Sequence, residues 1–143
     1  MSTRGAYGYI RSGVKKIAFN NWDSYPSGLG SDIVDYLLTR SIDALNKDFD
    51  AITLIIESDN IAEDILTSLN DAQGILSENV RIGFILDASD FMKDTLFCEW
   101  AYIINLDTCM LEVYTSGTSL IREFPINLVL KDNWAMFVKE IEK

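Results

Sequence analysis

The sequence contains no histidine. That excludes Ser-His-Asp and Cys-His catalysis within one chain, and any histidine-ligated metal. An enzyme built on this chain would have to work through carboxylates, lysine, tyrosine, a bound metal ion or the N-terminal amine. Cysteine is scarce too, with Cys98 and Cys109 alone. The two fall in neighbouring β-like segments, where a hairpin could bring them close. A reducing cytosol nevertheless favours free thiols, and cysteine is a common buried apolar residue, so both are read as structural. Two thiols cannot complete a four-ligand zinc site unless carboxylates join them. Two prolines and eight glycines leave little for a low-complexity linker. No window approaches the run of about 18 apolar residues that a membrane span needs. Met1 to Ile10 lacks the apolar core of a signal peptide. The expectation is a cytoplasmic protein that does not engage a membrane.

Positive charge is also in short supply, with 12 lysines and arginines against 22 acids and a net charge of −10. The deficit is uneven. Residues 1–22 hold Arg4, Arg11, Lys15 and Lys16 and no acid, while the rest of the chain carries a net −14. The most acidic stretch runs from Glu57 to Glu99, with ten acids against Arg81 and Lys93. Such a body disfavours direct nucleic-acid binding, because phosphate contacts need lysine and arginine. It suits solubility, or a protein partner with a basic surface reached by electrostatic steering. No nucleotide-binding loop, metal motif or catalytic triad can be read, so no cofactor, metal ligand or catalytic residue is assigned.

At 143 residues and 48% hydrophobic content the chain suits one domain with a proper core. Ala6 to Ile10 and Val14 to Asn20 flank Arg11-Ser12-Gly13, which reads as a β-hairpin. Ser31 to Asn46 is the clearest helix. Ser31 is its expected N-cap, Asp32 and Asp35 lie in its first turn, and Ile33, Val34, Leu37, Leu38, Ile42 and Leu45 form one apolar stripe. Ala51 to Ile56 and Val80 to Leu86 are expected strands, the latter with a packed connector as the alternative. Ile61 to Leu69 is an expected helix capped by Asp59 or Asn60. Cys98 to Asn105 and Met110 to Thr115 alternate with strand period two around a turn at Asp107-Thr108. Ser119 to Phe124 reads as a further strand and Trp134 to Ile141 as a closing helix. The sum is a single compact α+β domain over residues 1–143, a largely antiparallel sheet with packed helices.

The chemistry-bearing stretch lies between the first hairpin and the first helix: Asn20-Asn21-Trp22-Asp23-Ser24-Tyr25-Pro26-Ser27-Gly28-Leu29-Gly30. Trp22 and Tyr25 each carry a large apolar ring with a polar handle. Asn21, Asp23 and Ser24 supply donors and acceptors beside them. Two accounts stand open: the rings fold back over the core edge, or the loop presents an aromatic and polar surface to a ligand or partner. On the second account Arg4, Asn21, Trp22, Asp23, Ser24 and Tyr25 are the candidate binding residues. The helix that follows offers an anion site at its N-terminus, but Asp32 and Asp35 would repel the anion.

Three stretches taken together, Thr3-Arg4-Gly5 with Tyr7-Gly8, the WDSYPSGLG loop and CEWAYIINLD from Cys98 to Asp107, resemble a family of small proteins from bacteria, phages and other mobile elements. The resemblance covers the N-terminal third and the later hairpin, leaving the middle unmatched. It implies that hairpin, loop and strand belong together. By association of origin, it implies a phage or mobile-element inhibitor of a bacterial defence component that acts by occupying a partner surface. The alternatives are a small-ligand, nucleotide-like binding protein and a small histidine-independent hydrolase using the same loop. For the hydrolase, two chemistries can be drawn. Ser2 would become the N-terminus after loss of Met1, its amine acting as base. Asp23 with Asp107 or Glu99 would pair for acid–base work or hold Mg²⁺.

Overall fold

Strands bracket helices in the computed structural model, which describes residues 3–56 and 60–142. Strands β1 (Gly5–Arg11) and β2 (Val14–Asn20) lead to α1 (Ser31–Leu38), α2 (Ile42–Ala51) and β3 (Thr53–Ile55). Helices α3 (Glu63–Ala72) and α4 (Leu76–Ile82) precede β4 (Phe84–Leu86) and the short α5 (Ser89–Met92). Strands β5 (Trp100–Asn105), β6 (Met110–Thr115) and β7 (Ser119–Pro125) are closed by α6 (Leu130–Ile141). The main sheet has the order β2-β1-β5-β6-β7 and is antiparallel except where β1 runs parallel to β5. A second, two-stranded parallel sheet pairs β3 with β4. This is an α+β domain with a mostly antiparallel sheet, as expected.

The β1–β2 hairpin closes through Ser12 and Gly13, both at positive φ, as a two-residue hairpin turn demands. Strand β5 lies at the centre of the sheet and is covered on both sides. Ala101, Tyr102, Ile103 and Ile104 are all inaccessible to solvent. Tyr7, Tyr9, Tyr102, Ile104, Leu111 and Val113 turn one way, into the main core beneath α1, α2 and α6. Ala6, Ile17, Ala101 and Ile103 turn the other way, into a smaller core with Met92 and Cys98. Cys98 and Cys109 are both free, and they sit at opposite ends of β5 rather than across a hairpin from one another. Burial pushes the Cys98 thiol up to about 11.

Four expectations about elements need correction. The helix from Ser31 to Asn46 is two helices with a break at Thr39–Ser41. The Ser41 backbone is extended and its hydroxyl accepts from the Ala44 N–H at 3.1 Å, capping α2. Leu38 leaves the expected stripe, being 41% exposed, but the rest survives the break because Leu37 and Leu45 reach the same core, which is why the sequence pattern looks continuous. Ser31 is not a cap but the first residue of α1. Its hydroxyl donates to the Pro26 carbonyl and accepts from the Trp134 indole N–H, both at 3.1 Å. Helix α3 starts two residues later than expected and has Ala62 at its cap, without a side-chain bond; the Asp59 cap lies outside the described residues. Val80 to Ile82 belongs to α4, and only Phe84–Leu86 is strand. The stripe of α4 is interrupted by buried Asn79, which hides its period.

The basic N-terminal segment is largely matched inside the molecule. The Arg11 guanidinium pairs with Asp50 and donates to Asn46 on α2. It also lies 4.2 Å from the centre of the Phe49 ring. Lys16 donates to the Phe49 and Ile52 carbonyls at 2.6 Å each, capping the end of α2, and burial lowers its pKa. The charge asymmetry in the sequence is thus partly a docking device between hairpin and helix.

Truncating Leu37, which is 3% exposed, to alanine should cost about 2–5 kcal/mol in urea unfolding. An unchanged midpoint would show that α1 does not pack through this face. In a native thiol titration at pH 8, only Cys109 should react readily, with Cys98 becoming reactive after denaturation. Equal rates for the two thiols in the folded protein would contradict the placement of Cys98.

Candidate functional site

The loop after β2 is fixed from below by a buried amide. Asn20 is 3% exposed, and its side-chain NH₂ donates to the Trp22 carbonyl and, at 2.9 Å, to the Ser24 hydroxyl. Ser24 is fully buried. Its carbonyl accepts from the Tyr102 hydroxyl at 2.8 Å, and its N–H donates to the Thr3 carbonyl at 3.3 Å. Asp23, between these two anchors, takes a positive φ of 46° and turns the chain. The Asp23 carbonyl then accepts from Leu29 N–H at 2.8 Å, and Tyr25 carbonyl from Gly28 N–H at 2.9 Å. A side chain at Gly28 would run into the Asp23 backbone oxygen, so the loop closes on itself only with glycine there. A π-helical turn at Pro26–Gly30 leads directly into α1. From the far side Glu142 accepts from the Ser27 N–H and hydroxyl at 3.0 and 2.7 Å.

The α3–α4 connection faces this loop and forms the opposite wall. Gln73 accepts from the Asn21 N–H at 2.7 Å. The Gly74 N–H donates to the Tyr7 hydroxyl at 2.9 Å, and that hydroxyl donates to Asn79 at 2.7 Å. Gly74 has a φ of +82°, and a Cβ there would lie 2.7 Å from the Asn20 side-chain oxygen. Between the walls is a cavity of about 270 Å³ lined by Trp22, Asp23, Tyr25, Asp32, Gln73 and Ile75, among others. It shares Asp32, Gly74 and Ile75 with a cleft of about 450 Å³ between α1 and residues 74–77, to which Asp35, Tyr36 and Thr39 contribute. Beyond Tyr36 and Thr39 the cleft adjoins a third hollow containing Arg40 and Asp48.

The electrostatics of this surface are one-sided. Among the described residues, Asp23, Asp32 and Asp35 form no ion pair with a base. Burial raises the Asp32 pKa, with Asp35 adding to the shift. The charge of Asp23 raises the Tyr25 pKa, with a hydrogen bond between the two side chains. Trp22 is 63% exposed, an unusual setting for an indole whose backbone is so firmly held. Further along, Arg40 grips buried Asp48 through two bonds of 2.9 and 2.6 Å, and Tyr36 and Tyr9 complete that network. These groups are mutually matched and leave the Arg40 end nearly neutral.

The six candidate residues therefore divide. Trp22, Asp23 and Tyr25 line the cavity together. Asn21 braces it through Gln73, and Ser24 is buried scaffold. Arg4 stands apart, its side chain donating to Asn21 at 3.3 Å and lying over Phe97 at 5.7 Å. Gln73, Gly74 and Ile75 complete the wall and were not legible as site residues; the one signal was a glycine shortly after the expected Ile61–Leu69 helix. Asp32 and Asp35 were visible only as first-turn acids. The pairing of Asp23 with Asp107 does not assemble. Asp107 accepts from Ser12 N–H at 2.9 Å at one end of β1, whereas Asp23 lies beyond the other end. Glu99 accepts from the Arg4 N–H at 3.0 Å and does not line the cavity. The described residues hold no cluster of three metal-ligating acids or thiols. Ser2 lies outside the described residues.

The chain matches no protein-family model, no curated protein and no solved structure.

Replacing Gly74 with alanine should destabilise the protein by more than about 1 kcal/mol, because the strained φ and the contact with Asn20 act together. It should also change the emission of Trp22 in the folded protein. A variant with unaltered stability and emission would show that Gly74 does not set the cavity wall.

Proposed function

We propose that the chain is a non-catalytic binding protein that seats a basic segment of a protein partner on the Trp22 loop and the adjoining α1 cleft. The observation that carries this reading is the set of three carboxylates, Asp23, Asp32 and Asp35, matched by no base and arranged around exposed aromatic and aliphatic surface. Lysine or arginine side chains suit it, their stems lying on Ile75 and their heads meeting the acids. Trp22 and Tyr25 are residue types that anchor interfaces. The resemblance adds, by association of origin, a bacterial cytoplasmic defence component as the partner.

A second reading, a small-ligand site, is favoured by the volumes, since clefts of about 300–1,000 Å³ suit such ligands. The same acids make a cationic ligand the better fit and a phosphate-bearing, nucleotide-like one the poorer. Among the described residues no helix is long and apolar enough to cross a membrane.

Partners captured on the purified protein, then measured by interferometry, test this. Association should slow as salt rises, because screening shortens to about 8 Å at physiological ionic strength. Trp22→Ala should cost about 2 kcal/mol through faster dissociation. Acidification should weaken the complex, with Asp32 losing its charge at a higher pH than an ordinary carboxylate. Affinity that ignores salt, pH and the Trp22 truncation would overturn the reading. A small cation carried through purification and lost on Trp22→Ala would support the second one instead.

A further inference from the structure

A second feature lies at the same end of the sheet. The connector between α5 and β5 is hydrogen-bonded throughout. The Asp94 carboxylate accepts from the Leu96 and Phe97 N–H groups at 2.9 and 2.8 Å, and its carbonyl accepts from Cys98 N–H at 3.1 Å. Gly117 N–H then donates to the Cys98 carbonyl at 2.9 Å. This rigid turn nevertheless holds Leu96 73% and Phe97 49% exposed. Scattered single apolar residues on a surface are ordinary, but two adjacent ones displayed on a hydrogen-bonded turn are a prepared contact. The Arg4 guanidinium lies over the Phe97 ring and reaches back to Asn21, the residue before Trp22. A stacked arginine beside exposed aromatic rings is the composition of an interface anchor.

We infer that Leu96, Phe97 and Arg4 form a second contact for the same partner, continuous with the Trp22 loop through the Arg4–Asn21 bond. This rests on the proposed binding role, and it makes the partner a protein rather than a small molecule. The occupant has an apolar centre that covers Leu96 and Phe97 and a lysine- or arginine-bearing flank that reaches the acids. Charge supplies the second half of that description. Asp94 and Glu99 border the contact, and Arg4 is largely engaged by Phe97 and Asn21. A second copy of this chain, with its net charge of −10, fits that border poorly.

The test uses a random 12-residue peptide library displayed on phage and selected on the immobilised full chain. Enriched peptides should combine Lys or Arg with Leu or aromatic residues. Their binding should fall at least tenfold both for Trp22→Ala and for the double variant Leu96→Ser, Phe97→Ser. These surface changes leave the buried cores untouched, and an unchanged urea midpoint verifies the fold of each variant. Loss with Trp22→Ala but not with the double variant would overturn the second contact and leave the cleft reading standing. Loss with the double variant but not with Trp22→Ala would separate the turn from the cleft, removing both the cleft reading and the continuity inferred here. Enriched peptides without basic residues, or concentration-dependent dimers in sedimentation that the double variant abolishes, would overturn the partner chemistry.

Discussion

The side chain of Asn20 sits where three parts of the molecule meet. Its amide holds the Trp22 carbonyl and the Ser24 hydroxyl, and its oxygen packs against the Gly74 backbone. A buried amide left without partners would be costly, roughly 1–3 kcal/mol for each unsatisfied group. The loop therefore has one conformation in which Asn20 is satisfied, and that conformation places Trp22 outward and Ser24 inward. Tyr7 does the same for the opposing wall, binding Gly74 and Asn79 from the floor of the sheet. Both anchors stand on the hairpin that opens the chain. The cavity is thus an extension of the sheet rather than of the helices that border it.

This construction explains how an acidic, histidine-free chain can carry a defined site. Charge within the protein is used in two ways. Arg11 and Lys16 fix α2 to the sheet, and Arg40 is taken up by Asp48 between the helices. Asp23, Asp32 and Asp35 are left over on one surface, where like charges repel and Asp32 already feels Asp35. On the proposed reading, a cationic partner would relieve that repulsion, and the backbone held beneath would keep the ordering entropy of binding small.

Much of the sheet was legible because its strands obey period two and its turns carry the residues those turns need. The Ser12-Gly13 turn and the alternation from Trp100 to Asn105 are examples. The helical stripe from Ile33 to Leu45 was legible as burial but not as two helices, because Ser41 interrupts the backbone without interrupting the apolar face. The parallel pairings β1–β5 and β3–β4 join strands far apart in sequence, and no local pattern encodes them. The same is true of the site. Its near half, Trp22 to Tyr25, stood out by side-chain chemistry within one loop. Its far half, Gln73 to Ile75, comes from a segment whose identity depends on Tyr7 and Asn20 reaching it across the fold. Ser24 was a candidate for its loop hydroxyl, and its burial against Asn20 and Tyr102 comes from residues distant in the chain or in the strand before it.

The Trp22 loop is already formed in the free protein. Native-state hydrogen exchange at the Leu29 amide addresses it directly, since that N–H closes the loop onto the Asp23 carbonyl at 2.8 Å. Protection comparable to that of the β1 and β5 amides of the sheet is expected in the free protein. Exchange at the rate of an open chain, with the sheet still protected, would contradict it.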